Sequence, residues 1–271
     1  MTNKIMKYKL GILGLGKMGS SILSGIIKSK LYNKEDILLY DVNEEVQNNL
    51  LKEGFTFAIN EKKLLQSVEK VLIAIKPQML SKLPPLALDD YSLTVISIVA
   101  GKTINDLEEI FSKQKYIRVM PNTPSLIQFG ATAICRNDQV ASEEFLEVKQ
   151  IFASIGVVEE VPEDKMNEVI PLNGSMPAFL YYFARSFIEE GVANGLSYEV
   201  SKSLVCWAII GSSKMILESD KPIEELIKDV CSPGGATLEG MKVLEEANVD
   251  KILKEVSKKS IQRAYELSKI K

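Results

Sequence analysis

The chain has 271 residues, of which 46% are apolar and 25% are charged, the composition of a soluble globular protein with length for about two domains. Its 33 Lys and Arg residues nearly balance its 36 Asp and Glu residues, so the charge pattern gives no support to a nucleic-acid or anionic-membrane partner. The absence of histidine excludes Ser-His-Asp catalysis, Cys-His catalysis and the common zinc sites. We therefore expect chemistry without a metal that relies on a cofactor, on a carboxylate, Lys or Tyr, or on hydrogen bonds from hydroxyls and backbone amides.

The cysteine count and the N-terminal sequence indicate the compartment. Cys135, Cys206 and Cys231 are odd in number and far apart, which favours a reducing environment over a disulfide framework. The polar, basic N-terminus is followed at once by glycines, so we expect no signal peptide. No segment reaches the roughly 18 uncharged apolar residues that a membrane span requires. These features predict a cytoplasmic protein.

The region from Lys9 to about Val161 alternates short β-branched runs with longer amphipathic runs, which is typical of βαβ units in a mainly parallel, doubly wound sheet. Strands are predicted at residues 10–13, 37–40, 71–75, 94–98, 117–120 and 131–135. Helices are predicted between them, for example at residues 18–28 and 142–154.

After Val161 the strand pattern stops, and helices are predicted chiefly at residues 164–194, 198–218, 236–246 and 249–268. The sequence therefore predicts an α/β domain at residues 1–162 and an all-helical domain at residues 163–271. No Gly/Ser linker separates them, so we expect the two domains to meet directly across a cleft.

Two of the predicted helices are unusually apolar, around residues 178–184 and 204–210. A helical domain of about 110 residues can hardly cover helices that are apolar on most sides, which favours an interface between subunits. A helix pair buried at the centre of a monomer is the alternative.

A glycine motif follows the first predicted strand and opens the first helix. In this context Gly14 allows the tight turn, Gly16 lets a pyrophosphate approach the backbone, and Gly19 lets helix and strand pack closely. The helix N-terminus then faces the phosphates, as in a Rossmann-like dinucleotide-binding domain. Asp41 ends the second strand, where an acidic side chain accepts the adenosine ribose hydroxyls; a simple turn residue is the alternative.

Other candidate cofactor residues lie in loops at the carboxyl edge of the sheet, where open α/β sheets bind ligands. Two prolines fix the backbone around Asn122, which suits the nicotinamide end of a cofactor. Each of the other loops, taken alone, is also compatible with a plain turn. The full candidate cofactor set is Leu13, Gly14, Leu15, Gly16, Lys17, Met18, Gly19, Asp41, Asn60, Ala74, Ile75, Lys76, Pro77, Val99, Ala100 and Asn122.

The helical half contains a second glycine segment and a predicted helix break. The segment lies immediately before a predicted helix, so its backbone amides are suited to a small carboxylate or phosphate; a helix–helix turn is the alternative. Its candidate substrate-binding residues are Ser232, Pro233, Gly234, Gly235, Ala236 and Thr237. Upstream, Gly174 and Pro177 interrupt a long helical pattern near Ser175, a further substrate candidate, although a packing kink explains them equally well.

Taken together, these segments resemble the pyrroline-5-carboxylate reductase family, and the resemblance spans roughly Lys7 to the C-terminus. Its motifs occur in the family order as Gly14–Gly19, Ile75-Lys-Pro77, Met120-Pro-Asn-Thr-Pro124, Gly174-Ser-x-Pro-Ala178 and Cys231-Ser-Pro-Gly-Gly-Ala-Thr237. The chain departs from the family pattern at Asn173 and Met176, in the length of the stretch between Pro222 and Val230, and at Asp41.

The resemblance implies reduction of 1-pyrroline-5-carboxylate to L-proline by NADH or NADPH, with Thr237 as the catalytic hydrogen-bonding residue and a homodimer or larger oligomer of dimers. Asp41 favours NADH, although Asn43, Lys62 or Lys63 could hold the 2′-phosphate of NADPH. Two alternatives are a β-hydroxyacid dehydrogenase, whose usual catalytic lysine is missing between Met166 and Lys202, and a non-catalytic nucleotide-sensing relative that kept the fold.

Overall fold

The computed structural model describes residues 8–80, 82–83 and 93–268. Its sheet has eight strands in the order β3-β2-β1-β4-β5-β6-β7-β8. The strands are β1 (Tyr8–Leu13), β2 (Ile37–Tyr40), β3 (Thr56–Phe57), β4 (Val68–Ile73), β5 (Thr94–Ser97), β6 (Lys115–Met120), β7 (Gly130–Arg136) and β8 (Gly156–Glu160). Neighbouring strands run parallel except β6 and β7, which pair antiparallel. The predicted doubly wound α/β class is confirmed.

Helices flank the strands in the first part of the chain and follow one another in the second. They are α1 (Lys17–Lys28), α2 (Glu44–Lys52), α3 (Glu61–Leu65), α4 (Pro77–Leu80), α5 (Ile104–Phe111), α6 (Ser142–Ala153), α7 (Met176–Ala193), α8 (Tyr198–Glu218), α9 (Ile223–Val230), α10 (Ala236–Glu246) and α11 (Val249–Ser268).

The central strands are apolar on both faces because the sheet has a hydrophobic core on each side. Ile12 of β1 packs with α1 and α6 residues such as Ile22 and Phe152. The next residue, Leu13, belongs to the opposite core with Phe111 of α5. Successive strand side chains point to opposite faces, so burial of both faces produces the continuous apolar runs in the sequence.

One strand prediction ended at the wrong residue, and two strands were not predicted. β4 ends at Ile73 and not at Ile75, because the parallel register with β1 and β5 stops there. The sequence did not predict β3 or β8. β3 has only two residues, and β8 ends in two glutamates and is largely exposed, so neither carries the apolar run by which buried strands were recognised.

The predicted long helix at residues 164–194 was wrong in its first half. A short 3-10 turn, Glu163–Lys165, leads into further turns, and α7 begins only at Met176. Pro177 therefore lies in the first turn of α7, where proline is tolerated, and does not kink a longer helix.

The chain divides into two compact units. One comprises the chain up to Ser175 together with the chain from Ile261 onward, and the other comprises Met176–Ser260. The boundary that the sequence predicts near Pro162, between a cofactor-binding domain and a helical domain, stays a prediction.

Helices α7 and α8 pack against each other but leave much of their apolar surface uncovered. Trp207 of α8 is 69% exposed and Phe187 of α7 is 66% exposed. The single chain therefore does not bury this helix pair. By length and average hydropathy α8 is the one helix in the described part of the chain that could cross a membrane, and one such helix does not establish a membrane span. Because α8 contains charged residues, it is not the long uncharged apolar run that the sequence was searched for.

Candidate functional site

The glycine loop between β1 and α1 requires glycine at two of its three motif positions. Gly14 has φ +97°, and a Cβ there would lie 2.7 Å from the Ala74 carbonyl oxygen. A Cβ at Gly19 would lie 2.2 Å from the Gly14 carbonyl oxygen. By contrast, a Cβ at Gly16 would meet nothing within 4 Å, so the space over Gly16 is open to a ligand.

Asp41 is tied to this loop through its carboxylate. The Leu15 N–H donates to Asp41 Oδ2 at 2.5 Å, and the Asn43 N–H donates to Asp41 Oδ1 at 2.8 Å. These two bonds hold the side chain at the end of β2 beside the glycine loop. A carboxylate has about four acceptor sites, so two remain for ribose hydroxyls.

A cavity of about 260 Å³ opens between the glycine loop, the end of β2 and the loop after β4. It brings together seven predicted cofactor residues, namely Leu13, Gly14, Gly16, Asp41, Ala74, Ile75 and Lys76. It is also lined by residues that were not predicted, namely Tyr40, Val42, Glu61, Met79 and Leu83. Tyr40 and Val42 flank Asp41 in sequence, and Glu61 follows Asn60. Adjacency to a predicted residue is a signal that could have identified all three.

The remaining predicted cofactor residues do not line this cavity. Leu15, Lys17, Met18 and Gly19 belong to the glycine loop and the start of α1, Pro77 begins α4, and Val99 and Ala100 follow β5. Asn60 caps α3, since its side-chain oxygen accepts the Lys63 N–H at 2.8 Å. The side-chain oxygen of Asn43 likewise caps α2. Lys62 and Lys63 are exposed and lie outside the cavity wall.

Asn122 has a structural role that the sequence did not reveal. Its Oδ1 accepts the Ala131 N–H at 2.9 Å, and its Nδ2 donates to the Asn173 carbonyl at 3.4 Å. In return, Asn173 Nδ2 donates to the carbonyls of Met120 at 2.9 Å and Ala131 at 2.8 Å. The two buried amides thereby join the loop after β6 to the segment that contains Ser175.

The residues present fit a dinucleotide. The backbone around Gly14 leaves no room for side chains, the surface over Gly16 is open, and the first turn of α1 has N–H groups without intrahelical partners. Asp41 supplies a fixed acceptor for hydroxyls. These groups would hold the pyrophosphate and the adenosine ribose of a nicotinamide cofactor.

The predicted substrate segment lies in the second compact unit, directly before α10. Gly234 has φ +69°, a conformation that other residues rarely adopt. The Gly235 N–H closes the turn by donating to the Ser232 carbonyl at 3.0 Å. The N–H groups of Ala236 and Thr237 occupy the first two helical positions, which makes them the natural donors to an anion at this helix end.

Comparison with protein-family models gives two matches. Residues 163–267 match the family model described as pyrroline-5-carboxylate reductase dimerisation. Residues 9–101 match the model described as NADP oxidoreductase coenzyme F420-dependent. The first match includes α7, α8 and the segment before α10, so the apolar surface of α8 belongs to a region associated with subunit contacts.

Relatives and solved structures agree with these matches over almost the whole chain. Pyrroline-5-carboxylate reductase of Aquifex aeolicus is 34% identical, and the alignment covers 97% of this chain and 98% of the relative. The enzyme of Escherichia coli is 32% identical, and the alignment covers 97% of this chain and 100% of the relative.

Among solved structures, Plasmodium falciparum pyrroline carboxylate reductase with NADP bound superimposes with a TM-score of 0.85 at 32% identity, over 97% of this chain and 99% of the other. The Coxiella burnetii enzyme gives a TM-score of 0.87 at 27% identity, with the same coverage. The chain belongs to the pyrroline-5-carboxylate reductase family.

Proposed function

We infer that this protein reduces 1-pyrroline-5-carboxylate to L-proline with a reduced nicotinamide nucleotide, the last step of proline biosynthesis. The observation that carries the inference is the Ser232–Thr237 segment at the start of α10, in a chain that aligns with the family over 97% of its length. Product identification by amino-acid chromatography tests it: the purified protein should form proline, and no other amino acid, from pyrroline-5-carboxylate.

The turn before α10 is suited to the carboxylate of this substrate. The N–H groups of Ala236 and Thr237 lie at the positive end of an eleven-residue helix. Gly234 provides the turn that leaves this helix end uncovered, through its φ of +69°. Ser232, Pro233 and Gly235 complete the segment, and Ser175 is proposed as a further substrate contact.

The reaction does not require histidine or a metal. The substrate is a cyclic imine whose protonated form is already electrophilic, and the bound reduced nicotinamide supplies the hydride. The Thr237 hydroxyl is exposed on the first turn of α10, where we assign it a hydrogen bond to the ring nitrogen. Most of the rate enhancement would then come from orienting the reactants.

We assign cofactor binding and substrate binding to different parts of the chain. Residues 1–162 are proposed as the dinucleotide-binding domain, and residues 163–271 as the substrate-binding and dimerisation domain. The cofactor residues are those predicted from the sequence, with Tyr40 and Glu61 added because they line the same cavity as Asp41. The three free cysteines support a cytoplasmic location.

NADH is the proposed preferred cofactor because Asp41 is held at the cavity by two backbone hydrogen bonds and cannot easily turn away. Asp41→Ser is expected to improve use of NADPH and to weaken use of NADH. At about 4 Å the repulsion between a carboxylate and the 2′-phosphate reaches about 1 kcal/mol per charge pair even in bulk water. The measurement is kcat/KM for both cofactors in the native enzyme and the variant.

The exposed Asp138, which lies at the far end of β7, offers a control, since Asp138→Ser removes the same charge outside the cavity. A native enzyme that already favours NADPH by about tenfold or more would show that Asp41 does not select the cofactor.

The exposed faces of α7 and α8 are proposed as the dimer interface, within the segment that matches the dimerisation model. Light scattering at micromolar concentration should show a dimer or a multiple of a dimer. Trp207→Glu should shift the protein toward smaller species, because the side chain is large, apolar and 69% exposed in the single chain. A native protein that is an active, stable monomer would contradict this interface.

A further inference from the structure

The cavity beside Asp41 contains a second carboxylate. Glu61 is the first residue of α3 and lines the same cavity as Asp41 and Tyr40. Among the described residues of the cavity wall, the charged ones are Asp41, Glu61 and Lys76. Lys76 lies after β4, whereas the two acidic residues lie after β2 and β3. The end of the cavity near β2 is therefore acidic.

Tyr40 lines the cavity together with both carboxylates. Its hydroxyl is hydrogen-bonded to Glu61, and its pKa is raised by burial first, then by the charges of Glu61 and Asp41. Glu61 is itself only partly exposed. Glu61 therefore lies on the cavity wall beside Tyr40.

The basic residues that follow Glu61 do not offset this charge at the cavity. Lys62 and Lys63 are exposed on α3 and do not line the wall. The oxygen of Asn43, the other polar candidate, accepts hydrogen bonds from the Glu45 and Val46 N–H groups. A group with charge of about −1.5 to −2, such as the 2′-phosphate of NADPH, would meet two carboxylates here.

We propose that Glu61 is a second determinant of cofactor choice, which acts with Asp41 to disfavour binding of a 2′-phosphate in this cavity. The inference rests on the proposed assignment of the cavity to the adenosine ribose of a nicotinamide cofactor. It implies that replacing Asp41 alone relieves only part of the repulsion, because the Glu61 charge remains.

Fluorescence titration of the full-length protein with NADH and NADPH, without substrate, tests the proposal. Glu61→Gln should improve binding of NADPH relative to NADH by about threefold to tenfold, and Glu61→Lys should improve it further. Glu61→Asp retains the charge and should stay close to the native ratio. In the Asp41→Ser protein, Glu61→Gln should add a further improvement.

Glu143→Gln is the matched control, since Glu143 is exposed in the first turn of α6 and the change removes the same charge. It should leave the ratio of the two dissociation constants unchanged, and circular dichroism should show that all variants are folded. If Glu61→Gln and Glu61→Lys both keep the native ratio while folded, the proposal is wrong. Because these are binding constants, they are obtained even if the protein does not reduce pyrroline-5-carboxylate.

Discussion

Replacement of Gly235 by Val is expected to abolish turnover while the protein stays folded and still binds the nicotinamide cofactor. Gly235 immediately precedes α10, and a Cβ there would lie 2.5 Å from Ser232 Oγ. The serine side chain can rotate away, and the Ser232 carbonyl oxygen at 3.1 Å needs to shift by only a few tenths of an ångström, so we expect the fold to survive. The larger valine then occupies the space assigned to the substrate carboxylate. Steady-state kinetics with pyrroline-5-carboxylate and cofactor titration measure the two effects separately.

Gly240→Ala provides a control within the same helix. A Cβ at Gly240 meets nothing within 4 Å, and alanine in a helix interior is more stable than glycine by about 0.5 to 1 kcal/mol. This variant should retain activity. Native substrate affinity in Gly235→Val would refute the assignment of Ser232–Thr237 to the carboxylate.

Thr237→Ala is expected to lower kcat by about tenfold or more with little change in cofactor affinity. A lost hydrogen bond to a charged group amounts to about 1.5 to 3 kcal/mol, which corresponds to at least that change in rate. Thr237→Ser keeps the hydroxyl and should restore most of the activity. The measurements are kcat with saturating pyrroline-5-carboxylate, and the dissociation constant of the cofactor.

The comparison between alanine and serine separates the hydroxyl from the shape of the side chain. Thr237 is exposed in the first turn of α10, so neither change removes a buried contact in the single chain. If the alanine variant is as active as the native protein, the Thr237 hydroxyl has no part in the mechanism.

The sequence predicted the buried strands and the later helices well, because their signals are local. β2 and α8 have the predicted bounds. In β2 the signal was a continuous apolar run, and α8 is the helix that the sequence predicted at residues 198–218 from its apolar residues. Such signals lie within a few residues of the element that they define.

Features formed by residues distant in sequence were not predicted. The segment before α7 is held by Asn173, which donates to the carbonyls of Met120 and Ala131, and no helical periodicity reveals such contacts. The cavity wall likewise combines Asp41 with Glu61, and only the fold brings them together. The glycine loop could be predicted because its strand, turn and helix are contiguous.

Reduction of pyrroline-5-carboxylate is measured by following the oxidation of NADH and of NADPH spectrophotometrically, in parallel, with pyrroline-5-carboxylate as substrate. We expect substrate-dependent oxidation of both cofactors, with the higher kcat/KM for NADH. Absence of substrate-dependent oxidation with either cofactor, in a folded protein that binds them, would contradict the proposed activity.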